Sequence, residues 1–159
     1  MNEKSGKIQT VLGLVDKAQI GLTLAHEHIF IDMARRLPGP FKPLLSRFRK
    51  LDMDKAISEV SLFKESGGST IIDVTPEGLE VDDMQAKIKA VSSATGINLV
   101  CGTGYYTGQF WNKKEHSQTV EEIAATYIRH IEEGFGDTAI KAGVIGEIGV
   151  SWPILPSET

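Results

Sequence analysis

Apolar positions along this chain follow two spacings that take turns. Short apolar or alternating runs of strand length occur in "KIQTVLGLV", "IGLTLAHEHIF", "STIIDV", "INLVCG" and "KAGVIGEIG". Between them, apolar residues recur every three or four positions. "DMDKAISEVSLFKESGG" sets Met53, Ile57, Val60 and Phe63 on one helical face, with Asp52 as N-cap and Gly67 as the stop. "DDMQAKIKAVSSATG" repeats the pattern through Met84, Ile88 and Val91 and closes at Gly96. "TVEEIAATYIRHIEEG" opens with Thr119 and Glu122 at capping-box spacing, and aligns Ile123, Tyr127 and Ile131 before Gly134.

The first run reads as a strand in a small N-terminal β-hairpin, and the second as the strand that follows it. From there the order is strand, helix, strand, helix, strand, helix, strand, which calls for an α/β unit with a parallel sheet and crossover helices. The strands are apolar on both faces, as a helix-covered sheet requires. A doubly wound open sheet and a (β/α) barrel both satisfy this order, and both place their chemistry at the carboxyl ends of the strands. The segment between Met33 and Lys50 reads as a loop.

Composition narrows the class. The 159 residues are 41% AVILMFWYC with a formal charge of -4, which suits one globular unit, 1–159, with no second domain and no affinity for nucleic acid. The N-terminus has no apolar core of a signal peptide, and no stretch reaches the ~18 apolar residues of a membrane span. A single cysteine, Cys101, excludes an internal disulfide and fits a reducing compartment, so a cytoplasmic protein is expected.

Against that background "LAHEHIF" stands out. His26 and His28 share a strand face, about 6.6 Å apart at the Cα level for a rise of ~3.3 Å per residue, close enough to converge on one divalent cation. Glu27 points the other way. An H-x-H pair alone is a weak signal. A second comes from "GVIGEIG", where Glu147 follows Gly143 and Ile145 on one face of an apolar strand. A carboxylate there is costly to bury without a partner. No basic residue lies in the other three parallel strands, so a metal is favoured over an ion pair.

"KIQTVLGLV", "TLAHEHIF" and "IKAGVIGEIGVSWP" together resemble the phosphotriesterase family of the amidohydrolase superfamily, most closely its phosphotriesterase-related branch. The resemblance implies a (β/α)8 barrel, of which this chain would be the N-terminal half, about four βα units. It implies two divalent metal ions per complete active site, usually zinc, and a metal-dependent hydrolase acting on a small ester, lactone, phosphoester or N-acyl amide. Carried over, His26 and His28 match the first-strand pair that binds the more buried metal, and Glu147 matches the catalytic carboxylate that bridges both. Organophosphate-degrading members carry a carboxylated lysine at that position, so glutamate argues against organophosphates. The family's histidines from later strands and its final aspartate have no counterpart here. An incomplete half-barrel that acts only through association is the competing reading, since its first and fourth strands would be open edges.

Other residues carry milder expectations. "CGTGYYTG" is a poor dinucleotide fingerprint and reads as a loop at the pocket mouth, with Tyr105 and Tyr106 as substrate-binding walls. Arg35, Arg36, Lys42, Arg47, Arg49 and Lys50 form an acid-free basic stretch, a solvated loop or an attractor of an anionic substrate or an anionic membrane surface. Asp73 ends its strand, either bonding a turn or orienting a ligand. His130 reads as a helix C-terminal histidine favoured by the dipole, His116 as a loop residue and Cys101 as a core thiol. Trp152 beside Pro153 is expected to fix a turn, and Ser157 and Glu158 to begin the next helical turn.

Overall fold

Two strands, β1 (Lys7–Thr10) and β2 (Gly13–Asp16), form the expected antiparallel hairpin. Gly13 sits at φ 120° in its turn, a region that only glycine enters freely. Parallel pairing begins with β3 (Leu22–Glu27). The computed structural model describes residues 6–36 and 42–159.

After β3 the chain makes a two-residue strand, β4 (Ile31–Asp32), a short helix, α1 (Lys42–Leu45), and β5 (Arg49–Lys50), which pairs back on β4. The segment expected to be a loop is therefore partly ordered by pairing, apart from positions 37–41, which lie outside the described residues. Helix α2 (Met53–Glu65) starts where expected, because the Asp52 carboxylate accepts the Lys55 N–H, a cap worth about 1 kcal/mol. Strand β6 (Gly68–Asp73), helix α3 (Met84–Thr95), strand β7 (Asn98–Thr103), the single-turn α4 (Lys113–His116), helix α5 (Val120–Glu132) and strand β8 (Ala142–Ile145) complete the succession. Thr119 and Glu122 form the capping box read from the sequence.

The parallel sheet runs β3-β6-β7-β8, in chain order. A doubly wound sheet reverses its strand order at a switch point, whereas sequential parallel strands joined by right-handed crossovers put every helix on the same side. Consistent with this, Ile71 of β6 and Leu99 and Cys101 of β7 form a core with Ala56 and Val60 of α2 and with Met84, Ile88 and Val91 of α3. The arrangement is that of part of a barrel wall. The hairpin is pinned to β7 by the Val11 N–H, which donates to the Leu99 carbonyl at 2.8 Å.

Strand β8 is shorter than its alternating sequence suggests. It ends at Ile145, so Glu147 lies two residues beyond it and not within it. Gly146, at φ 138°, breaks the extended path.

Candidate metal centre

The carboxyl ends of β3 and β8 lie at opposite edges of the sheet, yet their side chains meet. His26 Nε2 is 2.6 Å from Glu147 Oε2, and His28 Nε2 is 3.9 Å from the same oxygen. The two imidazoles stand nearly perpendicular, with ring centroids 5.4 Å apart. One ligand atom from each of His26, His28 and Glu147 falls within 4.8 Å of the others. Two imidazoles and a carboxylate are a donor set suited to zinc and similar divalent ions. Burial holds the His28 pKa below the ordinary histidine value despite the Glu147 charge, which favours the neutral, ligating form. Glu27 is not one of the convergent group; it lines a groove of about 470 Å3 against α2 with Leu24, Lys55 and Glu59, a groove that His28 borders as well.

Three residues at the end of β6 tie the two edges together. The Val74 N–H donates to the Glu27 carbonyl at 3.0 Å, and the Val74 carbonyl accepts the Glu147 N–H at 3.1 Å. Asp73 is buried, and its carboxylate accepts the Ile29 N–H at 2.7 Å and the Thr75 N–H at 3.0 Å. Its pKa is raised to about 6, because desolvation outweighs those two donors. Thr75 Oγ1 stands 3.0 Å from His28 Nδ1. From the other side, β7 leaves room for the Glu147 segment, since a Cβ on Gly104 would come within 2.6 Å of the Glu147 carbonyl oxygen.

The chain is similar to known proteins along almost its whole length. Residues 6–159 match the model of the phosphotriesterase family. The chain belongs to that family. It is 33% identical to a phosphotriesterase-related protein of Nematostella vectensis, over 97% of this chain and 51% of the relative. It is 30% identical to an N-acetyltaurine hydrolase of Dictyostelium discoideum, over 99% of this chain and 54% of the relative. Among solved structures, a resiniferatoxin-binding protein from Rhodobacter sphaeroides superposes with a TM-score of 0.86 at 29% identity, covering 97% of this chain and 49% of that protein. The chain spans about half the length of the relatives it matches. Its fold is accordingly the first part of a phosphotriesterase-like (β/α)8 barrel.

The two tyrosines of the glycine loop part company. Tyr105 is 4% exposed, its ring packs edge-on against Trp111 and Tyr127, and its hydroxyl donates to Gln118 at 2.9 Å. It is a packing residue and offers no open ring face. Tyr106 is half-buried beside Phe110 and close to Gly149, on the segment that follows Glu147.

Several other expectations change. Three of the six residues of the basic stretch are paired within the fold: Arg35 with Asp82 at 2.8 Å, Arg36 with Glu115 at 2.7 Å, and Arg49 with Asp32 at 3.0 Å. His130 is no exposed helix-end charge. It is buried, bonded to Thr103 Oγ1 at 2.8 Å, and its pKa is pushed down by burial. His116 lies in α4 and contacts Ser157 Oγ at 2.8 Å. Trp152 is 93% exposed and packs no turn. Pro156–Glu158 does form a helical turn, and Glu158 gathers the N–H groups of Gly108 and Ser151. Cys101 is a core thiol, as read. Among the described residues no helix is long and apolar enough to cross a membrane.

Sequence reasoning singled out Asp73 without its partners and missed Thr75 and Glu77. Glu77, beside a polar cavity of about 150 Å3, has its pKa raised to about 7 by burial first and by Glu80 and Glu115 next. A threonine two places beyond a strand-end aspartate carries no signal of its own.

Proposed function

We propose that this chain forms the metal-binding half of a phosphotriesterase-family hydrolase. The observation that carries the reading is the convergence of His26, His28 and Glu147, residues some 120 positions apart in sequence, on one small volume at the carboxyl ends of the strands. His26 and His28 would hold a zinc ion through Nε2, and Glu147 would be its third ligand and, in the complete site, the bridge to a second ion. A bound divalent cation supplies Lewis acidity, polarising a carbonyl or phosphoryl oxygen and lowering the pKa of water. The protein's own part is to hold those ligands in register and to wall the substrate with Tyr106. Relatives named N-acetyltaurine hydrolases favour a small N-acyl amide as substrate over a phosphoester. Pairing of Arg35, Arg36 and Arg49 within the fold halves the charge that the basic stretch could offer an anion.

The test is zinc affinity of the purified chain, measured by competition with a chromophoric chelator. His26→Ala and His28→Ala are each expected to weaken binding at least tenfold, and Glu27→Gln to leave it unchanged. Full zinc occupancy in both alanine variants would sink the assignment.

A further inference from the structure

His28 has two ring nitrogens, and a neutral imidazole carries one proton between them. Only the unprotonated nitrogen can hold a cation. Nε2 is the atom that faces Glu147, while Nδ1 faces Thr75 Oγ1 at 3.0 Å. The hydroxyl has its own destination: Thr75 Oγ1 donates to the Phe30 carbonyl at 3.2 Å. The Asp73 carboxylate also takes a side-chain hydrogen bond from Thr75, and since a carbonyl and a carboxylate only accept, the threonine's one proton has acceptors on the side away from His28. The remaining lone pairs of Oγ1 can then receive a proton from Nδ1 but cannot supply one. A buried carbonyl and a buried hydroxyl are both satisfied in this arrangement, whereas the reversed one leaves Phe30 without that donor.

We propose that Thr75 is a positioning residue that fixes His28 as its Nδ1–H tautomer, so that the Nε2 lone pair is presented to the cation beside Glu147. The inference rests on the metal-site reading above, and adds to it the residue that prepares the ligand before any metal arrives. Thr75 is itself held. Its N–H is bonded to Asp73 Oδ1 at 3.0 Å, and the other Asp73 oxygen accepts the N–H of Ile29, the residue after His28, at 2.7 Å. One buried carboxylate therefore sets the distance between the imidazole and the hydroxyl from both sides. By contrast, His26 has a 61% exposed side chain and, beyond its edge contact with the His28 ring, pairs among the described residues only with Glu147. Of the two imidazoles, His28 is the one prepared in advance. Ligating histidines commonly bond their second nitrogen, and loss of that partner typically costs about 10–100-fold in metal affinity.

The experiment uses the whole 159-residue chain, with 15N-labelled histidine, and compares wild type with Thr75→Val and Thr75→Ser. Long-range 15N–1H spectra of the metal-free protein, at a pH where His28 is neutral, report the tautomer directly. Wild type and Thr75→Ser are expected to show the Nδ1–H form. Thr75→Val, which keeps the shape and loses the hydroxyl, is expected to show substantial Nε2–H form and zinc affinity lower by about 10–100-fold. Should Thr75→Val fail to fold, the wild-type tautomer still decides the matter, because an Nε2–H imidazole there overturns the proposal. It is equally overturned if folded Thr75→Val keeps both the Nδ1–H form and wild-type affinity, or if Thr75→Ser loses both. A wild-type chain that binds no zinc yet shows the threonine-dependent tautomer would refute the metal reading and leave the positioning role standing.

Discussion

Single residues at this site are governed by what burial does to their charge. Glu77 is the clearest case, with Arg36 and Arg129 drawing its pKa down while burial, Glu80 and Glu115 push it up to about 7. His130 Nε2 is 3.8 Å away, but burial lowers the histidine as it raises the acid, so this contact is not a pair of full charges near neutrality. The folded chain therefore keeps a proton on Glu77 that the unfolded chain releases above about pH 4.5. The contribution of Glu77 to stability therefore falls as pH rises from there through about 7. Glu77→Gln removes the ionisation and is expected to flatten that slope. Allowing for the side chain's partial exposure, the gain at pH 8 should be on the order of 1–2 kcal/mol. Urea midpoints of both proteins at pH 5 and pH 8 measure it. Parallel pH dependences would mean that Glu77 does not carry the effect.

At the scale of elements, the glycine loop acquires a purpose that differs from phosphate binding. Gly102, the next-to-last residue of β7, faces the Glu147 segment, and a Cβ there would lie against the Gly146 carbonyl oxygen, inside contact distance. Glycine within a strand marks such a close backbone approach. The approach lets the Gly146 N–H reach the Thr103 carbonyl at 2.8 Å and the Glu147 N–H reach Val74. Gly102→Ala should thus destabilise the fold by about 1–3 kcal/mol and weaken zinc binding as well, since it displaces a ligand. Calorimetric unfolding and chelator competition, both unchanged, would show that the segment can move without consequence. The same element shows where the sequence was legible. Helices α2, α3 and α5 could be read because periodicity and caps are local properties, and His26 and His28 because their two-residue spacing is local too. The end of β8 could not, because "VIGEIG" keeps an alternating pattern through Gly146, where the backbone turns away. Strands of two residues such as β4 and β5 carry no period at all. Thr75 and His130 act through partners 47 and 27 positions distant, which no spacing encodes.

For the whole molecule, the sheet's two edges set the remaining behaviour. Strand β3 and strand β8 each lack a neighbour on one side among the described residues, and unpaired strand edges invite pairing with another chain. Around them Leu22, Ile145, Ile148, Val150 and Ile154 are all more than half exposed. Leu22 belongs to the β3 edge, whereas Ile145, Ile148, Val150 and Ile154 belong to β8 and the segment after it, and apolar side chains gathered in this way mark a surface that gains from being covered. The β8 side also carries Glu147, so a partner that covers it lies next to the candidate metal site. Concentration-dependent association of the 159-residue chain is the expected result, visible as a rise in sedimentation coefficient with loading concentration. Ile145→Lys and Ile148→Lys should each lower it, because a charge pointing from an edge opposes pairing. Zinc binding should survive both changes, since neither side chain is a ligand. A second copy would contribute only another His26, His28 and Glu147. Each chain is therefore expected to bind one zinc ion through this three-residue group whether or not it associates, which metal analysis of the separated species would check. Two tightly held ions on a monodisperse monomer would overturn both the ligand count and the importance of the open edges.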